Sequence, residues 1–127
     1  MSWAIVSILI AGLLPVICTG IAKRGFPHYD NHNPRDWLAG QTGARKRASA
    51  AEANSLEAFP FFAAGMVVAL VAKAPVDTVT WLGWAFVFAR VIYIYCYVAD
   101  RAALRSLVWA VGYGITIALY VMAALYA

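Results

Sequence analysis

The stretch RASAAEANSLEAFPFF, residues 47–62, decides how this chain is read. Arg47, Asn54 and Glu57 stand seven and then three residues apart. Those steps return to nearly the same face of an α-helix, so the three groups form one polar stripe about 15 Å long. Directly after it the chain turns to hydrocarbon, with Phe59-Pro60-Phe61-Phe62. A carboxylate and a guanidinium at the edge of an apolar segment are costly unless paired or solvated within protein. The stripe therefore predicts a functional site where a helix passes from water into lipid.

Working outward from the stripe, the 127 residues are 64% hydrophobic and 13% charged, with mean hydropathy +0.73. A soluble domain carries about 25% charged residues, so this composition belongs in a bilayer. A hydrocarbon core about 30 Å thick needs roughly 20 apolar residues per helix. Four such segments fit, approximately residues 2–22, 44–72, 77–98 and 104–126, with a polar loop at 23–43. The expected fold is an all-α integral membrane protein, a single four-transmembrane-helix bundle over residues 1–127.

The first segment, Ser2 to Ala22, is free of charge and is followed by Lys23-Arg24. A cleaved signal peptide carries its cations ahead of the apolar run, so this one reads as a retained helix, bent at Pro15. In the loop, Asn33-Pro34 suits the cap and first turn of a short surface helix carrying Trp37, and Gly40 and Gly43 loosen the chain beyond it. The second segment, Ala44 to Ala72, is about 43 Å long as a helix, so its basic start projects into water and Glu57 falls just inside the interface. Pro60 leaves the carbonyl of Leu56 without its helical donor, which predicts a kink and a neighbouring polar group to satisfy that carbonyl. The last two segments are joined only by Ala99 to Ala103, so they are antiparallel neighbours.

Orientation follows from the cations. Lys23, Arg24, Arg35, Arg45, Lys46, Arg47, Arg101 and Arg105 fall on one side and Lys73 alone on the other. The first side is therefore cytoplasmic, with both chain ends outside and the stripe near the cytoplasmic face. Orientation also accounts for most of the net charge of +4. No nucleic-acid-binding signature accompanies it, and no nucleic-acid partner is expected.

The third segment has a stripe of its own, Arg90, Tyr93 and Tyr97, spaced three and four apart. It is placed to face the first stripe. The simpler reading is a structural Arg90–Glu57 ion pair with the tyrosines as interfacial anchors. Taken together, Lys23, Arg24, Arg47, Arg90 and Arg105 surround one carboxylate, Glu57, and one carboxamide, Asn54. That inventory favours a small ligand with more negative than positive groups. A zwitterionic peptide with two carboxylates and a phosphate-bearing lipid head group both fit it.

Four ordered stretches resemble those of the MAPEG family, the membrane-associated proteins in eicosanoid and glutathione metabolism. They are Ala22-Lys23-Arg24-Gly25-Phe26, Arg47 through Asn54-Ser55-Leu56-Glu57 to Phe59-Pro60, Arg90-Val91-Ile92-Tyr93 onward to Tyr97, and Leu104-Arg105-Ser106. The resemblance covers nearly the whole chain and is strongest to short bacterial members, which implies a bacterial inner-membrane location. It further implies a homotrimer binding glutathione between protomers, acting as a transferase or peroxidase on a lipophilic electrophile or hydroperoxide, a detoxification chemistry. By the same resemblance Asn54, Glu57, Arg90, Tyr93 and Tyr97 belong to the glutathione site, and Lys23 and Arg47 help hold its carboxylates. Arg105 faces the sulfur and Arg24 assists the second substrate. Two departures stand out. Ala50 replaces an arginine found in many mammalian members, so one carboxylate contact passes to a neighbour such as Lys46 or Arg47. The spacing from Tyr97 to Arg105 also differs by one residue from some relatives.

If glutathione binds, Arg105 can stabilise its thiolate but cannot act as a general base, because a guanidinium stays protonated. Ser106 could donate to the sulfur, or serve as a helix-start residue. Other constellations carry less. His28, Asp30 and His32 alternate in a loop that reads as solvated, and no metal is expected. Cys18 and Cys96 lie in separate apolar segments and read as small hydrophobes, without a disulfide or a catalytic thiol. Trp3, Trp81, Trp84, Trp109, Tyr113, Tyr120 and Tyr126 read as packing or interface aromatics. The alternative to an enzyme is a small multidrug or ion transporter, which would use an acid accessible from both faces; Glu57 sits near one interface amid excess cations.

Overall fold

A computed structural model describes residues 1–23 and 29–127. Its helices are α1 (Ser2–Lys23), α2 (Pro34–Ala39), α3 (Gly43–Val71), α4 (Val76–Val98) and α5 (Ala102–Tyr126). All but the short α2 are long and apolar enough to cross a membrane, so the chain is an all-α, multi-pass integral membrane protein. Asn33 occupies the cap position of α2 without a side-chain cap bond. Asp30 instead orders the turn that leads into the helix, its carboxylate accepting from the backbone N–H groups of His32 at 2.9 Å and Asn33 at 3.3 Å.

The chain reverses tightly because α3 and α4 end in the same way. Lys73 and Asp100 take left-handed φ values of 61° and 59°. At the first, the N–H groups of Lys73 and Ala74 donate to the carbonyls of Leu70 and Ala69. At the second, those of Asp100 and Arg101 donate to Tyr97 and Cys96. Each is a Schellman closure, which satisfies carbonyls of the last turn while turning the chain back. The second closure is compact enough that α5 starts at Ala102, two residues ahead of the sequence expectation.

α1 and α5 each pack against both α3 and α4, and α3 also packs on α4. Size, more than polarity, sorts the residues. Inside are Ala4, Ala11, Ala69 and Ala123, with Phe62 stacked on Phe86 at a centroid distance of 3.8 Å. Outside are Leu9, Val16, Val67, Trp81, Phe88 and Leu125. Lipid is as apolar as leucine, so helices gain by close contact of small residues, not by hiding large ones. Near Pro60 the phenol of Tyr120 donates to the carbonyl of Phe61 at 3.1 Å. This bond does not reach the carbonyl of Leu56 that Pro60 frees, because Tyr120 on α5 lies level with the turn after the proline.

Neighbouring side chains crowd Gly83 on α4, where an added Cβ would collide with the Ser7 hydroxyl and lie 2.8 Å from the end of Met66. Ser7 has little freedom to yield, since its hydroxyl is buried and bonded to the Ala4 carbonyl at 2.7 Å. Gly83→Val is expected to destabilise the bundle by about 1–3 kcal/mol through overpacking. Gly20→Ala, where nothing lies within 4 Å, is expected to be neutral or mildly stabilising. Thermal unfolding of both variants in detergent checks the contrast.

Candidate functional site

The polar stripe of α3 meets α4 at Arg90, which is only 4% exposed. One terminal nitrogen, Nη2, donates to Asn54 Oδ1 and to Ser55 Oγ, each at 3.0 Å. The guanidinium carbon lies 4.1 Å from the centre of the Tyr93 ring. Asn54 and Ser55 are consecutive on α3, while Arg90 and Tyr93 share a face of α4 at a spacing of three. The cage is thus built from two short local patterns. Its members are neutral, and among the described residues no carboxylate pairs with Arg90.

The Arg90–Glu57 ion pair read from spacing is therefore corrected. Two residues along a helix amount to about 200° of rotation, so Ser55 aimed at α4 turns Glu57 away from it. Glu57 is exposed and lines a cavity of about 380 Å³ together with Asn54, Ala58 and Phe61 of α3, Phe86 and Arg90 of α4, and Trp109, Gly112, Tyr113 and Thr116 of α5. Asn54, Glu57 and Arg90 make its polar end, and the aromatic side chains make its walls. Glu57, Phe61, Trp109 and Tyr113 are all exposed, so the mouth opens sideways between α3 and α5. Trp109 and Tyr113 stack at 5.2 Å and 14°, and Phe61 lies 5.6 Å from Tyr113. Thr116 does not add polarity, because its hydroxyl donates to the Gly112 carbonyl at 3.2 Å.

Beside the cavity stands a second, stacked arrangement. Tyr93 meets Tyr97 edge-on at 5.7 Å, and the Arg105 guanidinium carbon lies 4.3 Å from the Tyr97 ring centre. Two cations therefore bracket two phenol rings, and Tyr93, Tyr97 and Arg105 do not line the cavity. Arg47 is used elsewhere: its Nε and Nη2 both donate to the Val98 carbonyl at 3.1 Å. Lys23 ends α1 and sits 4.5 Å from the Tyr29 ring centre, also away from the cavity. Arg24 and His28 lie outside the described residues.

Those motifs have a common owner. Residues 3–125 match the MAPEG family. The chain belongs to that family. Searches of curated proteins and of solved structures gave no match. Membership brings the general character of a MAPEG protein, a membrane enzyme of lipid and glutathione metabolism. Of the residues singled out by sequence, this MAPEG chain brings Asn54, Glu57 and Arg90 into one cavity and ranges Tyr93, Tyr97 and Arg105 alongside. Ser106 is exposed and donates to the Ala102 carbonyl at 3.2 Å. Since α5 starts at Ala102, Ser106 lies within the helix and is not its cap, which corrects the helix-start reading. Cys18 and Cys96 are buried free thiols, Cys18 packing with Leu14, Ala51, Tyr93 and Ile94.

Sequence reasoning missed Ser55 and the α5 wall. The wall had a signal: Arg105, Trp109, Tyr113 and Thr116 recur at four, four and three residues, one face of one helix. Ser55 had none beyond its place next to Asn54. Removing its hydroxyl takes one of two hydrogen-bond acceptors from a buried cation, so Ser55→Ala is expected to cost about 1–3 kcal/mol. Chemical denaturation in detergent measures it; Ser49→Ala, outside the cage, serves as the comparison.

Proposed function

We propose that this MAPEG chain is a glutathione-dependent transferase or peroxidase that holds the peptide as its thiolate for attack on a lipophilic electrophile or hydroperoxide. The observation that carries the reading is the Arg90 guanidinium, buried among neutral partners at the polar end of an aromatic-walled cavity. A buried charge needs a counter-charge or dense hydrogen bonding, and a ligand carboxylate supplies both through the donors of Arg90 that remain. Glu57 at the same end suits the ligand's ammonium, and Asn54 its amides. Glutathione has that charge pattern.

The chemistry asks for little. A thiol with its ordinary pKa of about 8.5 is mostly protonated at neutral pH, and each unit of depression needs about 1.4 kcal/mol of preferential thiolate stabilisation. Arg105 is the proposed source. Its contact with Tyr97 is a partly exposed cation–π interaction, a class contributing about 0.5–1 kcal/mol, so leaving the ring for a thiolate is energetically accessible. Water takes the proton. The electrophile enters through the mouth between α3 and α5, where the bilayer meets aromatic side chains. Ser106, inside the first turns of the same helix, is a secondary donor toward sulfur in this proposal, a role in which its one hydroxyl hydrogen leaves the Ala102 carbonyl.

Assembly as a homotrimer is part of the reading. Within one chain α1 contacts α3 and α4, whereas the mouth lies between α3 and α5. Lys23 and Arg24 would reach the ligand from a neighbouring protomer. The excess of Lys and Arg at the α1–α3 and α4–α5 connections supports a cytoplasmic site with both chain ends outside, and the proposed location in a bacterial inner membrane rests on the resemblance to short bacterial members alone.

Glutathione titration of detergent-purified protein, followed by thiolate absorbance and by turnover with an apolar electrophile, tests the assignment. Arg105→Ala is expected to lower the thiolate fraction about tenfold, one pKa unit, while retaining most of the binding. Glu57→Gln is expected to raise Kd about tenfold, roughly 1.4 kcal/mol. Bound glutathione with its SH fully protonated in the unsubstituted protein would sink the proposal.

A further inference from the structure

We infer that Arg47 is a positioning residue which fixes the end of α4 and thereby places Arg105, and that it is not a ligand for substrate carboxylate. The inference rests on the proposed role of Arg105 toward the thiolate. It begins with the carbonyls of the last turn of α4. Ala99, Asp100 and Arg101 donate their N–H groups to Tyr95, Tyr97 and Cys96, which leaves Val98 without a backbone donor among the described residues. Arg47, 51 positions earlier in sequence, supplies two donors to that one oxygen, Nε and Nη2 at 3.1 Å each.

Electrostatics explains why an arginine stands there. Arg45 and Lys46 lie in the first turn of α3 and Arg47 directly after it, close to the positive end of the helix dipole, where cations are unfavourable. For Arg47 the compensation lies on the neighbouring helix: its guanidinium meets the negative, C-terminal end of α4, and a charged donor makes a stronger bond there than a neutral one. The contact uses two of the five guanidinium N–H groups, so the assignment of Arg47 as a positioning residue rests on its place at the end of α4, away from the cavity lining.

What hangs on Val98 is the second arrangement of the site. Tyr97 precedes it, and its ring lies under Arg105. Residues 99–101 follow it, and the first turn of α5 then begins with the Arg105 N–H donating to the Arg101 carbonyl at 2.9 Å. Arg47 therefore ties the start of α3, the same helix that carries Asn54 and Glu57, to the turn from which Arg105 projects. This cross-link adds to the packing of α3 on α4 and α5 a direct tie between the helix that carries the ligand-binding groups and the turn that places the thiolate-stabilising one.

The test uses the full chain with Arg47→Gln, Arg47→Lys and Arg105→Ala. Amide hydrogen exchange over residues 99–105, measured without glutathione, is expected to accelerate about tenfold or more in Arg47→Gln. Its Kd for glutathione is expected to stay within about threefold, while the thiolate fraction of the bound peptide falls at least about fivefold. Arg47→Lys keeps the charge without the fork and is expected to follow Arg47→Gln. Adding Asp100→Gly, which relieves the left-handed residue of the turn, is expected to restore part of the thiolate fraction, and this variant carries the test if Arg47→Gln alone fails to fold. A Kd raised about tenfold or more, recovered by Arg47→Lys, with exchange unchanged, overturns the inference in favour of a direct ligand. Unaltered exchange in every variant overturns it as well. If instead Arg105→Ala leaves the thiolate fraction untouched, the role of Arg105 fails, and the ligand-free exchange still judges the Arg47–Val98 tie on its own.

Discussion

A guanidinium cannot be placed inside a bundle of apolar helices without something to hold it, and this fold is organised around that requirement. Arg90 is held by Asn54, Ser55 and the face of Tyr93, three neutral partners from two helices. Keeping them in register demands that α3 and α4 sit close and stay in one relative position. The Phe62–Phe86 stack two turns further along supplies that closeness, and the Schellman closure between the two helices limits how far they can slide. With Ser55 turned inward, helical geometry alone sends Glu57 outward to the cavity. One buried cation thus fixes both the helix pair and the direction in which Glu57, the acidic group of the cavity, points.

The remaining cations divide according to freedom. Arg47 and Arg90 are each committed to specific oxygens. Arg105 rests on an aromatic face, a contact without directional bonds, and its position can change at small cost. Such a division suits the proposed function, in which preorganised donors hold the ligand without rearrangement and Arg105 is the group proposed to turn to the sulfur.

Much of the fold was legible from sequence because hydrocarbon thickness imposes a length on every crossing, and the segments around 2–22, 44–72, 77–98 and 104–126 match the helices to within two residues. The polar residues were equally legible, since each stands out against an apolar background. Their partners were not. Spacing shows that Asn54 and Glu57 share a stripe, but it cannot say which of them turns toward α4, and the ion pair with Arg90 was lost to the neutral Ser55. Nor could spacing foresee that Arg47 would spend its donors on a main-chain carbonyl, because backbone acceptors are invisible in a side-chain inventory. The aromatic wall was hidden for a different reason: in a membrane chain, tryptophan and tyrosine have a ready role at the interface, and Trp109 and Tyr113 were assigned to it.

The sideways mouth has a bearing on how concentration should be understood for this molecule. Under the proposed function, a guest that arrives between α3 and α5 is drawn from the lipid phase, so its occupancy follows its mole fraction there and not its amount per volume of buffer. Adding empty vesicles dilutes such a guest while leaving its total unchanged. Affinity for the apolar partner is then a property shared between the protein and the membrane in which it sits.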